Sequence, residues 1–250
     1  GGTRSAPAPA APATGVADRD ISVAFKAQGT LTAQGLREAK DLGLLARLAQ
    51  NASGATAYAG TLGFRRGVAE VALSSSLKGL ALNLPAPLGK SAEAELPLGV
   101  SKQLLASSLN PGQPLLDELS VNIGRVAAIS YVRNVSGSEP VVLRGGISIG
   151  LEPGESVAPP PAGVAANIKL AKVDLDAWEK ILNSAAPSGS AGVAVNRPAD
   201  ALAQAYLPTV MAIRAKELVV QGRKLNNVVV GGSREGLNWR ANVDATELNG

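Results

Sequence analysis

The chain is 250 residues long and carries 24 basic and 20 acidic residues, a formal net charge of +4. It has no histidine and no cysteine, which excludes zinc sites and haem ligation built on those residues, cysteine nucleophiles, Ser-His-Asp triads and disulfides. Hydrophobic residues make up 46% but aromatics only 3%, so any interior is built from small aliphatic side chains. The 28 glycines and 16 prolines favour turns and strands over long helices. No run of Lys or Arg alternates with aromatics, so nucleic acid is not an expected partner; the mild positive charge is compatible with anionic lipid. No stretch reaches the roughly 18 apolar residues of a membrane-spanning helix, and the start lacks the apolar segment of a signal peptide.

"GGTRSAPAPAAPATG" reads as an Ala/Pro-rich linker over residues 1–17, solvated and semi-rigid. The end, "ATELNG", has neither a helix nor a polar tail, as in a piece cut from something longer. In "DISVAFKAQGTL" the alternation of Ile21, Val23 and Phe25 predicts a strand, and Thr32 is placed to cap a helix. Leu36, Ala39, Leu42, Leu45 and Leu48 recur at helical spacing, predicting an amphipathic helix over 33–49. "TAYAGTLGFRR" and "VAEVALSSSL" form a predicted hairpin turning at Gly67, with Val71, Leu73 and Leu77 on one face. "GLALNLP" places Leu80, Leu82 and Leu84 at alternate positions, with Pro85 and Pro87 ending the strand. Strands follow in "AELPLGVSKQLLA", "LSVNIG", "AAISYVRNV", "PVVLRGGISIGLE" and "GVAANIKLAKV".

"KVDLDAWEKILNSA" predicts a helix over 174–184, with Asp174 as cap and Leu175, Trp178, Ile181 and Leu182 as an apolar stripe; Trp178 is expected to anchor it to a sheet. "PSGSAGVAVNRPAD" is a break, with a sub-boundary near 184–200. The last stretches, "TVMAIRAKELVVQG", "KLNNVVVGGS" and "GLNWRANVDATELNG", read as strands with turn glycines at 222, 231, 232 and 236. The order is β-meander, helix, β-meander, with few openings for a βαβ crossover.

The motifs that suggest chemistry are weak. "GGISIG" and "GGSREG" lack the spacing of a phosphate loop and open no helix. The paired carboxylates of "VDLD" fit the electrostatics of a helix start. A Ser/Lys pair drawn from Ser74–Ser76 with Lys78 or Lys90 would need a buried lysine. What stands out is a set of alternating strands with small aliphatic residues on one face. That face either packs into an ordinary core or lines an open groove, and a long apolar face without large aromatics suits flexible acyl chains.

"SSLKGLALNLPAPLGKSAEAELPLGV" resembles a signature of the YhdP-type members of the AsmA-like family: Ser-Ser-Leu-x-Gly-Leu, then Leu-Pro-x-Pro-Leu-x-Lys, then a Pro-Leu strand. "GATAYAGTLGF" upstream, and "VDLDAWEKIL" and "LVVQGRKLNNVVVGGSREGLNWRANVDATELNG" downstream, are similar to further family segments in the same order. The resemblance implies a periplasmic piece of a protein anchored in the inner membrane of a Gram-negative bacterium. It also implies a role in moving phospholipid toward the outer membrane and in keeping its barrier intact.

The fold expected is mainly β with two helices, an elongated, twisted antiparallel sheet curled into a groove over residues 18–250. No catalytic residue, metal or cofactor is expected. The partners expected are phospholipid, the two membranes through the full-length protein, and envelope proteins. The groove candidates are Val71, Leu73, Leu80, Leu82, Ile129, Ile147, Ile149, Ile168, Leu170, Ile213 and Val219, with the reservation that a bulge would swap the face of a strand. Lys78 and Lys90 could meet head-group phosphates, or simply be solvated. The alternative reading is a β-scaffold that assists envelope assembly.

Overall fold

The computed structural model describes residues 21–39, 46, 48–150, 159–184, 204–236 and 238–248. The linker 1–17 and the sub-boundary 184–200 therefore lie almost wholly outside the described residues. So does part of the helix expected over 33–49.

The described chain builds one sheet. In chain order its strands are β1 (Ile21–Thr32), β2 (Ala52–Arg65), β3 (Val68–Ser75), β4 (Leu80–Leu82), β5 (Leu98–Leu104), β6 (Leu116–Ile123), β7 (Ala127–Asn134), β8 (Val141–Ile149), β9 (Gly163–Asp174), β10 (Val210–Val220), β11 (Arg223–Glu235) and β12 (Asn238–Asp244). Eleven of them lie side by side in the order β1-β2-β3-β5-β6-β7-β8-β9-β10-β11-β12, and the short β4 pairs with β2. The two ends of the path do not meet, so the sheet is open.

Turn chemistry explains the meander. Arg66 and Gly67 both have positive φ, 49° and 77°, the primed turn that matches strand twist in a two-residue hairpin. Gln221 and Gly222 repeat it between β10 and β11, at 50° and 70°. Gly231 and Gly232, expected at turns, instead lie inside β11 and pair with Ala212 and Met211. The sheet is also mixed: β9 runs parallel to both β8 and β10. The β9–β10 connection contains α2 (Leu175–Ser184), so the chain does contain a βαβ crossover, a departure from the simple meander.

Thr32 caps α1 (Ala33–Glu38) by accepting from the Gly35 amide at 3.0 Å. Asp174 caps α2 by accepting from Ala177 N at 2.8 Å. Asp176 does more than favour a helix start: its carboxylate accepts from Gln221 N and Gly222 N, fastening the β10–β11 turn to the helix. Trp178, half-buried, ties α2 to a neighbouring segment. Its Nε1 donates to the Ala86 carbonyl at 3.1 Å, in the excursion that follows β4.

The excursion from Ser76 to Pro97 closes a small core together with α1 and the start of β2. Leu77 leaves β3 with φ 51°, so it does not continue the face of Val71 and Leu73. It is buried with Leu80, Ala33 and Ala52, and Leu82, Leu96 and Leu98 pack around them. Lys90 staples this loop by donating to the carbonyls of Leu77 and Leu80. Its partial withdrawal from water lowers its pKa, with Glu93 opposing.

Candidate functional site: an uncovered aliphatic face

Side chains opposite one another on neighbouring strands share a face, so the register gives the composition of each side of the sheet. From Leu73 the line runs to Val100, then Val121, Ile129, Ile147, Ala166 and Met211. It continues to Gly232 and Ala241 on one side and to Gly60 and Ala27 on the other. This row crosses eleven strands without a polar side chain. Ten spacings of about 4.8 Å make it roughly 48 Å long.

The next row is nearly as apolar. Leu98, Ile123, Ala127, Ile149, Ile168, Ile213 and Val230 follow one another across β5 to β11. The opposite face carries the intervening residues, among them Ser74, Ser101, Ser120, Ser130, Ser148 and Asn167, on β3 and β5 to β9. One face is oily and the other polar.

Among the described residues, no second layer covers the middle of the oily face. Val71, Leu73, Ile129, Ile147, Ile149, Ile168, Leu170 and Ile213 are all half-buried, and of the row itself Ala166 alone is fully buried, beside Val164. Toward the edges it is more exposed still: Phe25 is 56% exposed and Val243 51%, with Leu62 and Trp239 also exposed. A closed core of these residue types would be buried throughout.

The face is closed at its two strand-end margins. At one, the excursion core packs on Leu98 and meets α2 through the Trp178–Ala86 hydrogen bond. At the other, a compact turn, closed by Leu207 N donating to Gln204 O, lies over the start of β9, where Val164 is completely buried. From β11, Arg234 donates to the carbonyls of Gln204, Leu207 and Pro208. From β7, Tyr131 donates to Tyr206 O at 3.0 Å and Arg133 donates to the Tyr206 hydroxyl at 3.1 Å. Strands four places apart thus lean in to one turn, which fits a sheet curled toward this face. Gly145 makes room for the Tyr131 ring, since a Cβ there would lie 2.5 Å from it. Burial and Tyr206 raise the Tyr131 pKa.

Beneath Tyr206, Arg133 grips Asp117 at two points, Nε to Oδ1 at 2.9 Å and Nη2 to Oδ2 at 2.6 Å. Burial works against the guanidinium's charge, but the hydrogen bonds it donates to Asp117 and Tyr206 outweigh that and raise the Arg133 pKa.

The model of the YhdP protein family matches residues 5–250. The chain belongs to the YhdP family. That membership points to an envelope-associated protein, and the family is not a known enzyme family. No curated protein and no solved structure matched the chain. No helix among the described residues of this YhdP-family chain is long and apolar enough to cross a membrane.

The structure separates the residues expected to line a groove. Val71, Leu73, Ile129, Ile147, Ile149, Ile168, Leu170 and Ile213 lie on one face of the sheet. Leu80, 2% exposed, belongs to the excursion's closed core, and Leu82 packs against that core. Val219 lies past a break. Ala171, Lys216 and Asn227 drop out of the pairing, and Asn227 has φ 51°. Beyond it Val173, Leu218 and Leu225 pack with Ala215 and Val228, so the apolar side passes to the other alternate set. The set that holds Val219 carries the Lys172–Glu217–Lys224 ion pairs instead.

Lys90 serves the loop rather than a rim, and Lys78 pairs with Glu95 at 3.5 Å on the surface. Ser75 Oγ donates to Ala57 O and accepts from Leu77 N, which commits it to holding the strand end. Val100, Val121 and Ile123 belong to the oily face but were not among the expected residues; the alternation in "PLGVSKQ" and "LSVNIG" carries their signal.

Proposed function

We propose that this chain is a non-enzymatic, periplasmic lipid-conduit segment of an inner-membrane-anchored protein. Its oily face carries phospholipid acyl chains between the inner and outer membranes and so supports the outer-membrane barrier. The observation that carries the reading is the aliphatic row from Ala27 to Ala241, over whose middle no second layer lies among the described residues. An acyl chain spans about 15 Å, half of a bilayer's hydrocarbon core. The row is long enough for several such chains in line. Leaving one chain in water costs on the order of 10 kcal/mol, at about 0.8 kcal/mol per CH2. Smooth aliphatic walls remove that cost without fixing the chain at one position. Nothing in this role requires a nucleophile, a metal or a cofactor.

One observation favours the scaffold reading as a second choice. All seven residues of β12 are exposed, and it ends the strand path, so its outer edge could accept a strand from an envelope protein. The two readings part in a vesicle assay with the purified chain. A conduit extracts phospholipid from donor vesicles, and Ile147→Asp abolishes extraction while leaving the circular dichroism spectrum unchanged. Absence of extraction by the wild-type chain would leave the scaffold reading in place.

A further inference from the structure

Charge is scarce on the oily face, and where it occurs it is neutralised. Arg133 is paired with Asp117, and Arg234 is spent on backbone carbonyls. Lys102 is different. It stands on β5 between Val71 of β3 and Leu119 of β6, one step along the strand from Val100 and the unbroken row. It is half-buried. Among the described residues no carboxylate pairs with it. Asp117, the nearest acid on the same face by register, is 0% exposed and has both oxygens held by Arg133. Glu118 and Glu70 belong to the opposite face, and Glu70 accepts from Leu104 N.

The stem of Lys102 lies between aliphatic register neighbours, and its ammonium has no carboxylate partner among the described residues, which leaves the charge available to an anionic ligand. We propose that Lys102 is a head-group site: it receives the phosphate of a phospholipid whose acyl chains lie along the Leu73–Val100–Val121 stretch of the row. This rests on the conduit reading and adds a place on the sheet where the lipid's polar end stops. The lysine suits the task as a compact, flexible point charge, which pairs with a phosphate oxygen without demanding one bidentate orientation. Sliding from site to site is then interrupted beside β5, where the lipid is held by both ends.

The test compares wild type, Lys102→Met and Lys102→Arg in extraction from neutral carrier vesicles doped with phosphatidylglycerol, oleic acid or uncharged diacylglycerol. Met keeps the stem and its packing, so the fold should survive, and the circular dichroism spectrum checks this. The expected result is that wild type and Lys102→Arg take up phosphatidylglycerol at least 10-fold better than diacylglycerol, that Lys102→Met loses this preference, and that its diacylglycerol uptake is unchanged. A preference retained by Lys102→Met, or a larger one for oleic acid than for phosphatidylglycerol, overturns the site while the conduit stands. Failure of the wild type to take up any of the three overturns both.

Discussion

Asp117 and Arg133 face each other across β6 and β7 in a buried two-point fork, with Tyr206 closing over the guanidinium. The pair lies at the margin of an otherwise oily face, where a charge has no water to fall back on. Removing one partner leaves the other buried and uncompensated, which costs about 3–5 kcal/mol. Asp117→Asn and Arg133→Met are each expected to lower urea stability by that order. The double replacement Asp117→Leu/Arg133→Met should be milder than the sum of the single changes, because it leaves no stranded charge.

The turn over β9 is held from two sides, so each side should report separately. Tyr206→Phe removes the hydroxyl that accepts from Arg133 but keeps the ring, which meets Tyr131 edge-on at 5.0 Å. Its cost should be about 1 kcal/mol. Arg234→Leu removes three hydrogen bonds to the turn. Hydrogen exchange at Leu207 and Thr209 should then rise well above the level seen in Tyr206→Phe.

Leu80 and Ile147 are both aliphatic residues expected to line a groove, and the structure gives them opposite environments. Leu80 is enclosed by Leu77, Ala33 and Ala52, whereas Ile147 is half-buried on the open face. Leu80→Asp should unfold the excursion, with a loss of several kcal/mol from burying a charge. Ile147→Asp should leave the melting temperature within a few degrees of wild type and act on lipid uptake alone.

Alternation made most of the sheet legible, because a half-buried strand repeats every second residue. It gave the strand positions of β2, β3 and β6 to β12, the hairpin at Gly67 and the caps at Thr32 and Asp174. It could not place Leu77 or Val219. In each case a backbone feature, φ 51° at Leu77 and the break at Asn227, transfers the apolar side to another set of residues. The Arg133–Tyr206–Asp117 cluster was also illegible. Asp117 and Arg133 meet only through the register of the β6–β7 hairpin and Tyr206 comes from a turn 73 residues on from Arg133, so each in isolation reads as an ordinary surface or strand residue. Parallel pairing of β9 was hidden because the crossover carrying α2 looks, in sequence, like a break between two meanders.

Glu247 accepts from the backbone N–H of Asn226 at 2.8 Å, and that hydrogen bond, with the one from the Asn226 side chain, lowers its pKa. The folded carboxylate is therefore favoured over the unfolded one. Its contribution is fully present above the ordinary glutamate range and is lost as pH falls through the lowered folded pKa. An amide titration by NMR should show the Asn226 N–H moving with an inflection below the usual glutamate value. Glu247→Gln should remove that inflection.

The central claim is that the aliphatic row is an open path for lipid. It is tested most directly by photo-crosslinking in cells, with the reactive residue placed at Leu73, Ile129 or Ile147 and, in parallel, at the polar-face neighbours Ser74, Ser130 and Ser148. Phospholipid should be captured at the first three positions and not at the second three. Equal capture on both faces, or capture on neither, would contradict the account.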